Sequence, residues 1–162
     1  MRRLIDIREF GAVNNGKVDC TKAIQQAVNT AAGCSGEVWV PEGIYLTGAI
    51  FLQSNMSLYL EEGAVLLGIQ REESYPLMAG RVAGIEMDWP AGVLNIRDAE
   101  NVYVHGSGTI DGQGEYWWEK YWGTDGKGGM RRTYEERNLR WAVDYDCFRT
   151  RNVIVWNSRK IR

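Results

Sequence analysis

The chain has 162 residues with 19 basic and 21 acidic side chains, a formal charge of −2, so it is long enough to bury one core and gives no reason to expect nucleic acid or anionic lipid as a partner. No run approaches the roughly 18 apolar residues of a membrane span. Met1-Arg2-Arg3-Leu4-Ile5-Asp6-Ile7-Arg8 turns charged before any apolar signal core, which points toward a cytoplasmic protein, although a trimmed leader leaves the same sequence.

Cys20, Cys34 and Cys147 are odd in number and lack metal-ligand spacing, so they read as reduced, mostly structural thiols and not as a disulfide framework. From Asp19 to about Gly33, Ala23, Ile24, Ala27, Val28 and Ala31 recur at helical spacing, with Asp19 or Thr21 placed to cap the first turn and Gly33 to stop the last. Three later segments align without gaps: Val38 to Gly48, Leu58 to Gly68 and Val102 to Gly112. Each reads apolar, aromatic, apolar, then a bend, then a second short β-prone run closed by Gly. Their starts lie one and then two steps of roughly 22 residues apart, the fixed period of a stacked repeat. Each coil of such a solenoid offers an apolar face that only its neighbours bury, so Val38, Val40, Leu58, Leu60, Val102 and Val104 are expected inside. The helix is expected to cover the first coil, and an ordinary β-sandwich is the alternative.

Two stretches break the period. About Gln70 to Pro90 carries Tyr75-Pro76, Glu86, Asp88 and Trp89 and reads as a cleft wall. The insertion from Glu115 to about Trp141 holds Trp117, Trp118, Tyr121, Trp122, Tyr134 and Trp141 beside Arg131, Arg132, Arg137 and Arg140. Aromatic faces suit the apolar sides of sugar rings and Arg forks suit uronate carboxylates, so Trp117, Trp118, Trp122, Arg131 and Arg132 are the candidate binding residues. The competing reading is that these rings pin the loop to the solenoid. His105 reads as a turn or surface residue, and Asp111 as a bend residue bonded to its own backbone. Asp144 and Asp146 would share one strand face, solvated or paired with basic neighbours.

Phe10-Gly11-Ala12-Val13, Asn15-Gly16-Lys17-Val18-Asp19, Val40-Pro41-Glu42-Gly43 and Leu46-Thr47-Gly48 resemble the opening of right-handed parallel β-helix proteins of the pectin-degrading superfamily. Ser57 to Leu66, Gly108-Thr109-Ile110-Asp111-Gly112-Gln113-Gly114 with Trp117-Trp118, and Arg149-Thr150-Arg151-Asn152-Val153-Ile154 resemble the amino-terminal half of a polygalacturonase-type glycoside hydrolase. Thr150 replaces the family's usual Pro and Cys20 a common Asp.

The resemblance implies a single all-β right-handed parallel β-helix over residues 1–162, stopping after four or five coils. It also implies an acidic pectic oligo- or polysaccharide as partner and an inverting two-carboxylate mechanism that uses no metal and no cofactor. The family's catalytic aspartates, Gly-His-Gly and Arg-Ile-Lys-like motif have no counterpart here, so no catalytic residue is assigned and the chain alone is expected to be inactive, with self-association through an open last coil. The alternatives are a non-catalytic glycan-binding β-helix of spike or adhesin type and, with no carboxylate cluster for Ca²⁺ to support it, a polysaccharide lyase.

Overall fold

The computed structural model describes residues 3–124 and 129–162. The chain winds in coils of short strands. The first coil runs through β1 (Leu4–Asp6) and β2 (Asn15–Asp19) and closes with the helix α1 (Thr21–Cys34). The second is β3 (Glu37–Val40), β4 (Gly43–Thr47) and β5 (Ile50–Leu52). The third is β6 (Ser57–Leu60), β7 (Ala64–Gly68), an inserted hairpin of β8 (Leu77–Val82) and β9 (Ile85–Pro90), and β10 (Leu94–Arg97). The fourth is β11 (Glu100–Gly106), β12 (Thr109–Asp111), the inserted helices α2 (Gly114–Trp122), α3 (Gly129–Glu136) and α4 (Val143–Asp146), and β13 (Val153–Trp156), after which β14 (Arg159–Ile161) stacks on β11.

Stacking of equivalent strands gives three parallel sheets, ordered β1-β3-β6-β11-β14, β12-β7-β4-β2 and β13-β10-β5. Only the hairpin pairs antiparallel among the described residues. The alternation seen in the sequence decides what lies inside: Val38, Val40, Leu58, Leu60 and Val102 are buried, and Val104 is half-buried against the same core. Each fully buried apolar side chain of this kind contributes roughly 1.5–3 kcal/mol, and no coil gains that alone. The buried Asn95 side-chain amide donates to the Ile50 and Gly92 carbonyls at 3.1 and 2.8 Å and accepts from the Gly92 N–H at 2.8 Å. Corners use left-handed residues that Asn tolerates, with Asn55 at φ 63° and Asn101 at φ 57°, their side chains hydrogen-bonded at 2.9 Å.

The ungapped alignment of the three segments needs correction. Val38 does pair with Leu58, but Ile44 pairs with Val65, because the bend Glu61-Glu62-Gly63 is one residue longer than its counterpart Pro41-Glu42. In the next coil Val104, not Val102, stacks on Leu58, while Val102 pairs with Ile161. A slip of two residues keeps the same side chains inside, so the pattern of burial survives an error in register.

The amino-terminal helix also differs in detail. Cys20 occupies the N-cap without a side-chain cap bond, and Asp19, one residue earlier, accepts from the Thr21 backbone N–H at 2.9 Å and from its hydroxyl at 2.5 Å. Gly33 lies within α1, and Ser35 at φ 50° ends it. The helix packs against β1 of the first coil, as expected, and also against β3 and β5 of the second, standing where a third strand of the first coil would stack on β5. Both departures from the family pattern are accommodated. The Cys20 thiol is buried between the Val13 and Val18 carbonyls at 3.3 and 3.2 Å, and the Thr150 hydroxyl donates to the Ala91 carbonyl at 2.7 Å.

Candidate functional site

The long insertion is helical rather than a loop, and it extends to Asp146. Its small core is Tyr121, Val143 and Cys147, with Trp122, Met130 and Tyr134 packed against it, and burial pushes the Cys147 thiol pKa up. The insertion and the hairpin are clasped to each other. Lys120 pairs with Glu72, Tyr75 meets Trp117 edge to ring at 5.9 Å, and the Trp89 indole donates to the Arg149 carbonyl at 3.0 Å while standing against Phe148.

Between these walls lies a cleft of about 370 Å³ floored by residues 149–152, the segment leading into β13. Val82 and Trp89 line it from the hairpin, and Trp117 and Trp118 from α2. A second hollow of about 200 Å³ adjoins it, sharing Trp89 and Arg151 and running along β13 past Arg81, Arg97 and Trp156. The two together contain Arg81, Arg97, Arg149 and Arg151 and, among the described residues lining them, no Asp or Glu. A groove with cations and no anions, in a chain of net charge −2, is a segregated field suited to an anionic ligand.

The floor is rigid. The Val93 and Leu94 N–H groups donate to the Arg151 and Asn152 carbonyls at 2.8 and 3.0 Å, and the Asn152 amide reaches the Ile110 carbonyl at 3.3 Å. Gly92 permits this approach, since a Cβ there would stand 2.9 Å from the Arg151 oxygen. Arg149 lies over the Tyr121 ring at 4.6 Å and 4.0 Å from Asp144, which also accepts from the Tyr121 hydroxyl at 3.0 Å.

The residues singled out in the sequence are divided by this geometry. Trp117 and Trp118 line the cleft, but in different roles: Trp117 is 5% exposed, its indole held by the Gly112 carbonyl at 3.1 Å, whereas Trp118 is 61% exposed. Trp122, Arg131 and Arg132 are not among the lining residues. Trp122 stacks behind Trp118 at 5.9 Å, Arg131 lies over Trp122 at 4.4 Å with its Nε 3.0 Å from Glu135, and Arg132 faces Glu136 at 3.7 Å. Asp144 and Asp146 sit on α4, not on a strand face, and Asp146 accepts from the Tyr134 hydroxyl at 2.9 Å. Asp111 accepts from the Gln113 N–H at 2.8 Å in its bend. His105 is on the outer face of the first sheet, stacked on Tyr59 and Tyr103 and 2.9 Å from Glu37, away from the cleft. In the sequence Arg149 and Arg151 stand out only as parts of the motif, and the signal available is two Arg just before the β-prone run Val153-Ile154-Val155-Trp156.

A family described as rhamnogalacturonase A/epimerase, pectate lyase-like, matches residues 4–60. The exo-poly-alpha-D-galacturonosidase of Dickeya chrysanthemi is 35% identical over 121 residues, 69% of this chain and 20% of that protein. A probable polygalacturonase of Vitis vinifera is 34% identical over 125 residues, 71% of this chain and 26% of that protein. A hyperthermoactive exopolygalacturonase from Thermotoga maritima superposes with a TM-score of 0.80 at 26% identity, over 98% of this chain and 40% of its own. The chain is a polygalacturonase-type right-handed parallel β-helix. This polygalacturonase-type chain spans only about a fifth to a quarter of the length of these two curated relatives. The β-sandwich alternative is ruled out by the stacked parallel sheets.

Proposed function

We propose that the chain is the glycan-holding part of a glycoside hydrolase that acts on galacturonic-acid-containing pectic polysaccharide. The observation that carries this is the groove of four Arg without a carboxylate, walled by Trp89 and Trp118. A uronate chain offers carboxylates to the Arg-lined floor and an apolar ring face to the exposed Trp118 indole, while the buried Trp89 serves as wall. Trp118 is the exposed stacking surface, Trp117 fixes the wall, and Trp122, Arg131 and Arg132 buttress it from behind and supply outer contacts. Cleavage needs one carboxylic acid to protonate the glycosidic oxygen and a second carboxylate, on the opposite face, to activate water. Among the described residues lining the cleft there is neither, so the pair is assigned to sequence outside the 162 residues. The 162-residue chain is therefore expected to bind polygalacturonate and to release no reducing ends from it, while a chain extended along the same reading frame gives the inverted anomer by proton NMR. Reducing-end release by the short chain, abolished by one substitution in it, would refute this assignment. A purely glycan-binding β-helix is the second reading, favoured by the same absence of acids in the cleft, and an extended chain that binds but never hydrolyses would establish it.

A further inference from the structure

The helical wall of the cleft begins where β12 stops pairing. One coil earlier the ladder runs on: Thr47 pairs with Gly68, and the next backbone N–H, that of Ile69, donates to the Thr47 carbonyl at 2.9 Å. The same step repeated on Gly68 would send the Gln113 backbone N–H to the Gly68 carbonyl. It does not go there. The chain turns away after Asp111, the last residue of β12 paired with β7, and the Asp111 Oδ1 takes the Gln113 N–H at 2.8 Å. The buried Gly68 carbonyl is met instead by the Gln113 side chain, whose Nε2 donates to it at 2.5 Å.

Gln113 does this from an unfavourable backbone. Its φ is 49° and its ψ 54°, in the left-handed region, whereas Gly112 and Gly114 on either side do not have positive φ. A Cβ is thus kept at the one position of the bend where glycine would be least strained, which points to a use for the side chain. What the bend carries is the wall. Helix α2 starts at Gly114, the Trp117 indole donates back to the Gly112 carbonyl at 3.1 Å, and Trp117 and Trp118 line the cleft beside the two glycines.

We infer that Gln113 is a positioning residue: by exchanging a ladder bond for a side-chain bond it fixes the direction in which α2 leaves the solenoid, and so the place of Trp118 over the cleft floor. The consequence for binding rests on the reading of the cleft as a glycan site. Without a donor on the side chain, the buried Gly68 carbonyl is left to the backbone N–H of residue 113, which draws the bend back toward the ladder and tilts α2. Glycine at 113 gives the bend that freedom and relieves the left-handed strain, so the fold keeps its stability while the wall loses its place.

Gln113→Gly and Gln113→Met test this, since both remove the donor and only glycine relieves the backbone. In the 162-residue chain, Gln113→Gly should unfold at a urea concentration no lower than wild type, and Gln113→Met at a lower one. In both, amides of Trp117 to Trp122 should exchange about fivefold or more faster while those of Leu58 to Leu60 keep their rates, and a galacturonate oligomer should bind about fivefold or more weaker by isothermal titration. Gln26→Ala, on the exposed side of α1, should alter none of these. Lost affinity with stability retained is a combination that a merely structural bond does not give. If α2 exchange or affinity stays at the wild-type level in Gln113→Gly, if exchange rises equally in β6, or if Gln113→Gly unfolds before Gln113→Met, the inference is overturned while the cleft reading stands. A wild type that does not bind the oligomer overturns the cleft reading, and α2 exchange in the two variants then decides the positioning role by itself.

Discussion

Tyr75 shows how one residue beneath the cleft couples stability to the wall above it. The side chain is buried, its hydroxyl has no hydrogen-bond partner of ordinary geometry, and it stands 2.9 Å from where a Cβ on Gly68 would be, which is why that position has none. Its ring edge supports Trp117, and so the rim of the cleft. Burial pushes the phenol pKa well up, the Ile69 backbone opposing only in part, because the phenolate cannot be solvated there. The sign follows from linkage. With the folded pKa raised above an unfolded value of about 10, the unfolded chain loses its proton first, so the contribution is complete below about pH 10 and declines as pH rises beyond it. Tyr75→Phe removes both the titration and an unpaired hydroxyl. Urea unfolding at pH 8 should find the variant equal to wild type or up to about 1 kcal/mol more stable, and at pH 10.5 its advantage should be larger. An advantage that stays the same at both pH values would mean that the phenol is solvated. Other buried tyrosines, Tyr45 among them, are shifted in the same direction, so the variant should reduce the alkaline loss and not abolish it.

Among the elements, α1 does the work of a strand. Strand β5 has β10 on one side and no strand on the other. The Gln25 side chain fills that side as a peptide group would, its amide accepting from the Phe51 N–H at 2.8 Å and donating to the Phe51 carbonyl at 3.0 Å. Asn29 continues the line, accepting from Gln25 at 3.0 Å and from Gln53 at 2.6 Å. Gln25→Ala leaves a strand edge unpaired in a half-buried setting and should cost about 1–3 kcal/mol, whereas Gln26→Ala on the exposed side should stay within about 0.5 kcal/mol. Equal urea midpoints for the two would show that apolar packing alone seats the helix. The helix itself was legible, because Ala23, Ile24, Ala27, Val28 and Ala31 mark one face at the right spacing. Its bond to β5 was not, since Gln25 and Gln26 look alike until the strand they meet is known. The strands were legible for the same reason as the helix, and their register was not: the two-residue shift of β11 on β6 keeps every side chain on its face, whereas the one-residue longer bend before β7 makes an ungapped alignment match exposed Ile44 with buried Ala64. The insertion was recognised by its broken period, yet its helices were hidden, because Trp and Tyr have middling helix propensity and Gly114, Gly123 and Gly129 interrupt it. Of its three candidate tryptophans Trp117 and Trp118 line the cleft and Trp122 does not, and the Arg that line it lie outside the insertion.

At the scale of the molecule, the cleft and the stacking of coils have different sources of rigidity. Protection in a stack of coils depends on neighbours on both sides, and the described strands differ in this respect. Strand β6 lies between β3 and β11 and pairs with both, and its inward side chains are fully buried. Strand β13, which extends the cleft floor, pairs with β10 alone and leaves Val153, Val155 and Trp156 exposed. Half of its backbone groups therefore face away from any described partner, and its local opening does not require the central coils to open. In a monomeric sample of the 162-residue chain, hydrogen exchange of Val153 to Trp156 should be faster than that of Leu58 to Leu60, by about tenfold or more, since a lost neighbour removes at least one net hydrogen bond's worth of protection per opening. An acidic galacturonate oligomer should slow exchange selectively at β13 and along residues 149–152, because it bridges floor and walls without touching β6. Protection at β13 that rises with protein concentration, without ligand, would instead report a second copy pairing along that edge. Equal protection of the two strands, in a species that sedimentation shows to be monomeric, would mean that the free edge is closed by contacts the stacking of coils does not supply.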